Sequence, residues 1–177
     1  MNQLIEAVKT LFEEKKWYWQ QTDEDTLRGS ICGDNARWEW FACGEREDDL
    51  LYFYSVCPLS VPKERRHAAA EFLTRANYGM PLGNFEMDHS DGEVRYRTSL
   101  PLEPGQVPSQ KRLGGIIHAN FRTLDRYLPG LLAVIYGKTT PRRAIREIES
   151  PKEQASDEPE EDPAPAPRRI PSPPCEN

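Results

Sequence analysis

The chain has 177 residues, 37% of them hydrophobic, with 29 acids against 23 bases and a formal net charge of −6, enough apolar material for the core of one domain. No apolar run approaches the roughly 18 residues needed to cross a bilayer. The body is not basic, so a surface that tracks nucleic-acid phosphates has little to start from, and neither a membrane nor a nucleic acid is an expected partner.

Residues 3–16 place Leu4, Ile5, Val8, Leu11 and Phe12 on one helical face and Glu6, Lys9, Glu13 and Glu14 on the other, the pattern of an amphipathic helix. The period then changes to two. Trp17–Gln21, Leu27–Cys32, Ala36–Cys43 and Leu50–Cys57 are rich in β-favouring residues and separated by TDED, GDN and GEREDD, so four strands are predicted. In the third, Trp38 and Trp40 share a face opposite Arg37, Glu39 and Phe41. In the fourth, Leu51 and Phe53 oppose Leu50, Tyr52, Tyr54 and Val56, which predicts a strand central in its sheet or covered on both sides.

Ser60 offers an N-cap, with Pro62 in the first turn of a second helix running to Asn77. Gly79 is the expected left-handed residue beyond its end, and Pro81 prevents continuation. A strand over 82–89 meets Asp91-Gly92, a hairpin signal, and returns with Val94, Tyr96, Thr98 and Leu100 on one face and Arg95 and Arg97 on the other. After a loop over 101–108, helical spacing resumes at Leu113 and runs to Ile135, with Pro129 expected to kink or break it. Thr140 and Pro141 cap a last helix to Glu149. Antiparallel strands with segregated flanking helices make an α+β domain over residues 1–149.

Residues 150–177 hold eight of the chain's sixteen prolines, no aromatic residue and Ile170 as their single large aliphatic. Their seven acids against three bases give −4 of the −6, and such a tail is expected to be disordered.

Chemistry-bearing motifs are scarce. His67, His89 and His118 stand apart, with no HxH, HExxH or Cys/His cluster, so no metal or cofactor is expected. There is no GxSxG; Cys32, Cys43 and Cys57 fall in strands as small hydrophobes, and no catalytic residue is assigned. A thiol hydrolase would need a Cys57–His67 or Cys57–His118 pair made by tertiary structure. Gly114-Gly115 lacks the strand and spacing of a phosphate loop, and the basic runs Lys63, Arg65, Arg66 and Arg142, Arg143, Arg146 read as solvated helix faces. The start MNQLIEAVK lacks a signal-peptide pattern, which with reduced cysteines predicts a cytoplasmic protein. Were one sheet face left uncovered, Trp38, Trp40, Tyr52, Tyr54, Arg95 and Arg97 would form an interaction surface.

Two separated runs, RANYGMPLGNFEMDHSDGEVRYRTSL and LDRYLPGLLAVIYG, together resemble the YbjN-like family of bacterial proteins, described as sensory transduction regulators. The resemblance covers about residues 1–149. It implies an α+β fold similar to that of type III secretion chaperones, small dimers that bind other polypeptides, and it brings no catalytic residue. The expected function is therefore a non-enzymatic, chaperone-like or regulatory protein-interaction module acting as a homodimer. The alternative is a small-molecule sensor with a pocket between the sheet and the helices around Pro129, where Arg95 or Arg97 meets an anion.

Overall fold

The computed structural model describes residues 2–45, Glu47 and 49–150; the tail from Pro151 onward lies outside them. In chain order the elements are α1 (Gln3–Lys15), β1 (Gln20–Asp23), β2 (Thr26–Cys32), β3 (Arg37–Glu45), β4 (Leu50–Val56), a 3-10 turn (Lys63–Arg65), α2 (Arg66–Asn77), β5 (Asn84–Met87), β6 (Val94–Pro101), α3 (Gln110–Ile135) and α4 (Pro141–Glu149). The strands form one antiparallel sheet of six in the order β1-β2-β3-β4-β6-β5. The α+β class stands, and β4 is central as its two apolar faces require.

Asn2 caps α1 by accepting from Leu4 N at 3.0 Å, and its amide also donates to Gly44 O at 2.8 Å, tying the helix start to the end of β3. Lys16 ends the helix in the left-handed conformation, φ 56°, and Trp17 N bonds back to Phe12 O at 2.8 Å. This turn draws Trp17 out of the predicted first strand, which starts at Gln20 instead. Its ring packs 5.5 Å from Phe12, 5.2 Å from His118 and 5.8 Å from Phe121.

The second helix also starts differently. Pro62 precedes a 3-10 turn, and neither that turn nor α2 has a side-chain cap, so Ser60 is not the N-cap. At the other end Gly79 keeps an ordinary φ, while Gly83 takes φ +71°. What joins α2 to the sheet is Asn77, whose Oδ1 accepts from Phe85 N at 2.8 Å while its Nδ2 donates to Phe85 O at 3.0 Å.

Helix α3 runs 26 residues without interruption through Pro129, so of the expected kink or break the break does not occur. Pro129 has no N–H to give Asp125 O, four residues earlier. That carbonyl instead accepts from Asn35 Nδ2 at 3.0 Å, and the Asp125 carboxylate accepts from Asp34 N and Asn35 N at 3.1 and 3.0 Å. The GDN turn between β2 and β3 thus supplies the donor that proline removed. Gly130 beside it lets α4 approach, because a Cβ there would stand 2.4 Å from Ile148 Cδ1.

Trp38, Trp40, Phe53, Tyr96 and Phe85 face the helices. Phe53 lies 5.5 Å from Trp40 and 5.3 Å from Phe121, and Trp40 lies 4.8 Å from Phe12. Buried Asn120 on α3 donates to Phe53 O, Tyr96 O and Thr98 Oγ1 at 3.0, 3.1 and 3.2 Å, holding α3 across β4 and β6. Gly114 and Gly115 are interior residues of α3, and an added Cβ would meet at most Leu11 at 3.8 Å; close helix packing does not depend on them.

Helix α4 starts as expected, with Thr140 accepting from Arg143 N at 3.3 Å. It is tied to α3 by Tyr127, whose hydroxyl donates to Glu149 at 2.8 Å. Burial first, then the Glu149 carboxylate, push the Tyr127 phenol up to about 12. A phenol raised in the folded state stabilises the fold fully below its unfolded pKa, about 10, and loses that contribution as pH rises through about 12. Tyr127→Phe is therefore expected to flatten the alkaline limb of stability between about pH 10 and 12, measured by urea unfolding across pH. An unchanged slope would rule the linkage out.

Candidate interaction surface

Strand register sorts every side chain of the sheet onto one of two faces. Helix–sheet ring contacts and hydrogen bonds fall on Trp38, Trp40, Phe53, Tyr96 and Phe85, all of one face. The other face carries two complete cross-strand rows, Arg28–Phe41–Tyr54–Arg97–Asn84 and Ser30–Glu39–Val56–Arg95–Glu86. A third row, Thr26–Cys43–Tyr52–Ser99, lies beside them. Phe41, Tyr52, Tyr54 and Val56 are each half-buried there, and among the described residues no helix covers them.

Tyr52 and Tyr54 stack with centroids 6.0 Å apart and planes at 21°. The Arg95 guanidinium sits 4.6 Å from the Tyr54 centroid and that of Arg97 5.6 Å from Tyr52, cation–π distances. Both arginines share one carboxylate, Arg95 Nε at 2.8 Å from Glu86 Oε2 and Arg97 Nε at 3.0 Å from Glu86 Oε1. The second contact lacks hydrogen-bond geometry, so Arg97 Nε has no hydrogen-bond acceptor among the described residues. Desolvation works to raise the Glu86 carboxyl, but hydrogen bonds from Arg95 and Asn84 and the charges of Arg97 and Arg95 together hold it below the usual range. The cluster is thus charged at neutral pH. Glu86 contributes stability above its unfolded pKa, about 4.5, and loses it as pH falls through the depressed value.

The six residues read from the sequence do not stay together. Tyr52, Tyr54, Arg95 and Arg97 meet on the open face. Trp38 and Trp40 are 2% exposed on the covered one, where Trp38 Nε1 donates to Ser55 Oγ at 3.1 Å; alternation puts them on the side that α1 and α3 bury, so they offer no surface. Phe41 and Glu86 were missed as members. Their alternation with Trp40 and Phe85 was the available signal, but pairing across strands that are distant in sequence decides who sits beside whom.

The sensor arrangement is also not met as drawn. Arg95 and Arg97 lie on the sheet face opposite α3, and Leu128, Gly130 and Leu131 beside Pro129 are buried. A cleft of about 920 Å³ does lie along α3 between the GDN turn and residues 79–81, with Arg122, Arg126, Asp125 and Glu149 on its walls, a lining of mixed charge. Cys57 is buried, and burial raises its thiol and that of Cys43, the reverse of an activated nucleophile. Among the described residues no group of three or more His, Cys, Asp and Glu side chains could hold a metal ion, and no helix is long and apolar enough to cross a membrane.

Residues 4–133 match the family model of YbjN, described as "Putative bacterial sensory transduction regulator". The chain belongs to the YbjN family. The match stops within α3, short of the 149 residues over which the resemblance was drawn. Among solved structures, the crystal structure of YbjN, "a putative transcription regulator from E. coli", is 8% identical, with 76% of this chain and 90% of that one covered at a TM-score of 0.51; it shares the YbjN fold. An uncharacterized protein from Methanothermobacter thermautotrophicus is 14% identical over 75% of this chain and 96% of its own, with a TM-score of 0.46. No curated protein matches the sequence.

Proposed function

We propose that this YbjN-family chain is a non-enzymatic regulatory module of the bacterial cytoplasm that binds another polypeptide through the open face of its sheet. One observation carries the reading: a central strand with Tyr52, Tyr54 and Val56 on a face that no described helix covers, framed by Arg95 and Arg97. Stacked tyrosines and arginines supply large, rigid contact area at low entropy cost and dominate binding hot spots. Among the described residues the cleft of about 480 Å³ beside Ser30, Arg37, Glu39 and Val56 on this face is an open one, and burial raises the Cys43 thiol there, which favours a macromolecular partner over a substrate. The family description as a regulator fits this class.

Tyr54→Ala together with Arg97→Ala is expected to abolish capture of partners that the wild-type chain retains by affinity, with the thermal transition of the variant still cooperative. Undiminished capture by the folded variant rejects the open face as the docking site. A homodimer, implied by the chaperone-like resemblance, is part of the same proposal. A strict monomer by sedimentation at high concentration removes that part and leaves the docking face untouched.

A further inference from the structure

We infer that a second copy of this chain covers the open face at high protein concentration, laid face to face about a two-fold axis that runs along β4. The inference rests on the reading of that face as the docking surface and names an occupant that a partner displaces. Strand order sets the frame. β3 and β6 flank β4, and β2 and β5 lie one strand further out. A two-fold along β4 therefore sets β3 of one protomer on β6 of the other and β2 on β5, and each contact off the axis is made twice.

Register then decides which side chains meet. In the Ser30–Glu39–Val56–Arg95–Glu86 row, Glu39 of one protomer falls on Arg95 of the other. Two residues back along each of those strands, Arg37 falls on Glu93, which keeps the alternation of β6 and is half-buried beside Arg95. Neither Glu39 nor Glu93 makes a side-chain hydrogen bond or ion pair among the described residues. Arg95 gives only its Nε–H to Glu86, leaving its terminal N–H groups for a second carboxylate. On the axis Tyr52, Tyr54 and Val56 pack against their own copies, and Phe41 lies against Arg97 in a cation–π pairing. Further out, Arg28 faces Asn84, Ser30 faces Glu86 and Glu45 faces Pro101. Asp23 of β1 lies outside the overlap, so no like charges meet.

Neighbouring two-folds fail on charge. An axis along β3 stacks Glu39 and Arg37 on their own copies, and one along β6 does the same to Arg95 and Arg97. An axis across the strands at the Tyr54 row opposes Arg28 to Arg28 and Arg97 to Arg97. Like charges set opposite one another exclude such arrangements. Two twisted sheets packed in alignment turn by about 30° against each other, and a rotation centred on β4 displaces the central contacts least. Exposed ion pairs contribute little, so the dimer is weak. It fills as protein concentration rises and opens on dilution, which releases the face to a partner.

Sedimentation velocity of the full-length chain tests this with a charge exchange. Wild type is expected to pass from monomer to dimer as its concentration rises. Glu39→Arg and Arg95→Glu each make both symmetry-related pairs repulsive and are expected to weaken the dimer about tenfold or more, with a cooperative thermal transition kept. In an equimolar mixture the arginine introduced in one chain meets the glutamate introduced in the other, and the native Arg95 meets the native Glu39, so the dimer is expected to return. A wild type that stays monomeric overturns the inference, as do variants that dimerise like wild type or a mixture no stronger than its components. Partner capture separates the two levels of argument. A monomeric wild type, with capture still lost in Tyr54→Ala/Arg97→Ala, defeats the second copy and leaves the docking face standing. Capture that survives those substitutions defeats the docking face itself.

Discussion

Trp40→Ala is expected to lower the unfolding free energy by about 3–5 kcal/mol, the range for removing a large aromatic from a packed core. Trp40 is 2% exposed and sits between Phe12 at 4.8 Å and Phe53 at 5.5 Å, linking α1 to the central strand. Beneath it Gly29 is required, because a Cβ there would fall 2.3 Å from the Trp40 ring, and Gly29 itself has no side chain with which to fill the void. The same truncation at Tyr54, which stands on the open face, is expected to lose only about 1 kcal/mol, the value of a cross-strand pair and an exposed cation–π contact. Urea unfolding of both variants checks the contrast. Similar losses at the two positions would mean that the faces are not divided into core and surface as described.

Gly92→Ala is expected to destabilise by about 2–5 kcal/mol, combining a strained backbone with an overpacked contact. Gly92 has φ +86°, and a Cβ would lie 2.2 Å from Val61 O, a backbone atom with no rotamer to yield. The contact matters because Val61 N bonds to Gly92 O at 2.8 Å, and Val61 is itself buried, so the 88–93 loop and the segment entering α2 hold one another. Gly79→Ala is the comparison: its φ is ordinary and no atom lies within 4 Å of the added carbon, so little change is expected. Thermal unfolding of the pair decides, and a Gly92→Ala chain as stable as wild type would refute the contact.

Local signals in the sequence were legible wherever one element settled the matter. The stripe of α1, the Thr140–Pro141 start of α4 and the alternation in β3, β4 and β6 each follow from spacing alone. Misreadings arose where a partner distant in sequence intervened. Pro129 looked like a break because its missing donor was visible and Asn35, ninety residues away, was not. Gly79 looked like the helix terminator, but the Asn77 clamp on Phe85 takes over the junction and moves the left-handed residue to Gly83. Trp17 looked like a strand residue until the left-handed Lys16 turned it back onto Phe12.

The surface was half legible for the same reason. Composition marked the aromatic strands as unusual, and alternation separated Tyr52 and Tyr54 from Phe53. Which face the helices would cover depends on where α1 and α3 dock, and that is set by Phe12, Asn120 and Phe121 meeting the sheet from elsewhere in the chain. Trp38 and Trp40 were therefore grouped with residues from which the sheet itself divides them. Glu86 escaped notice because its partners Arg95 and Arg97 lie across the β5–β6 hairpin, and only the register Glu86↔Arg95 brings them together.

The open face as docking surface is tested most directly by hydroxyl-radical labelling of the full-length protein alone and in the assembly it forms with an affinity-captured partner. Protection concentrated at Phe41, Tyr52 and Tyr54, with labelling of exposed Tyr78 and Tyr136 unchanged, is the predicted result. Protection confined to the helical layer, with the three sheet rings labelled as fast as in the free protein, would contradict it.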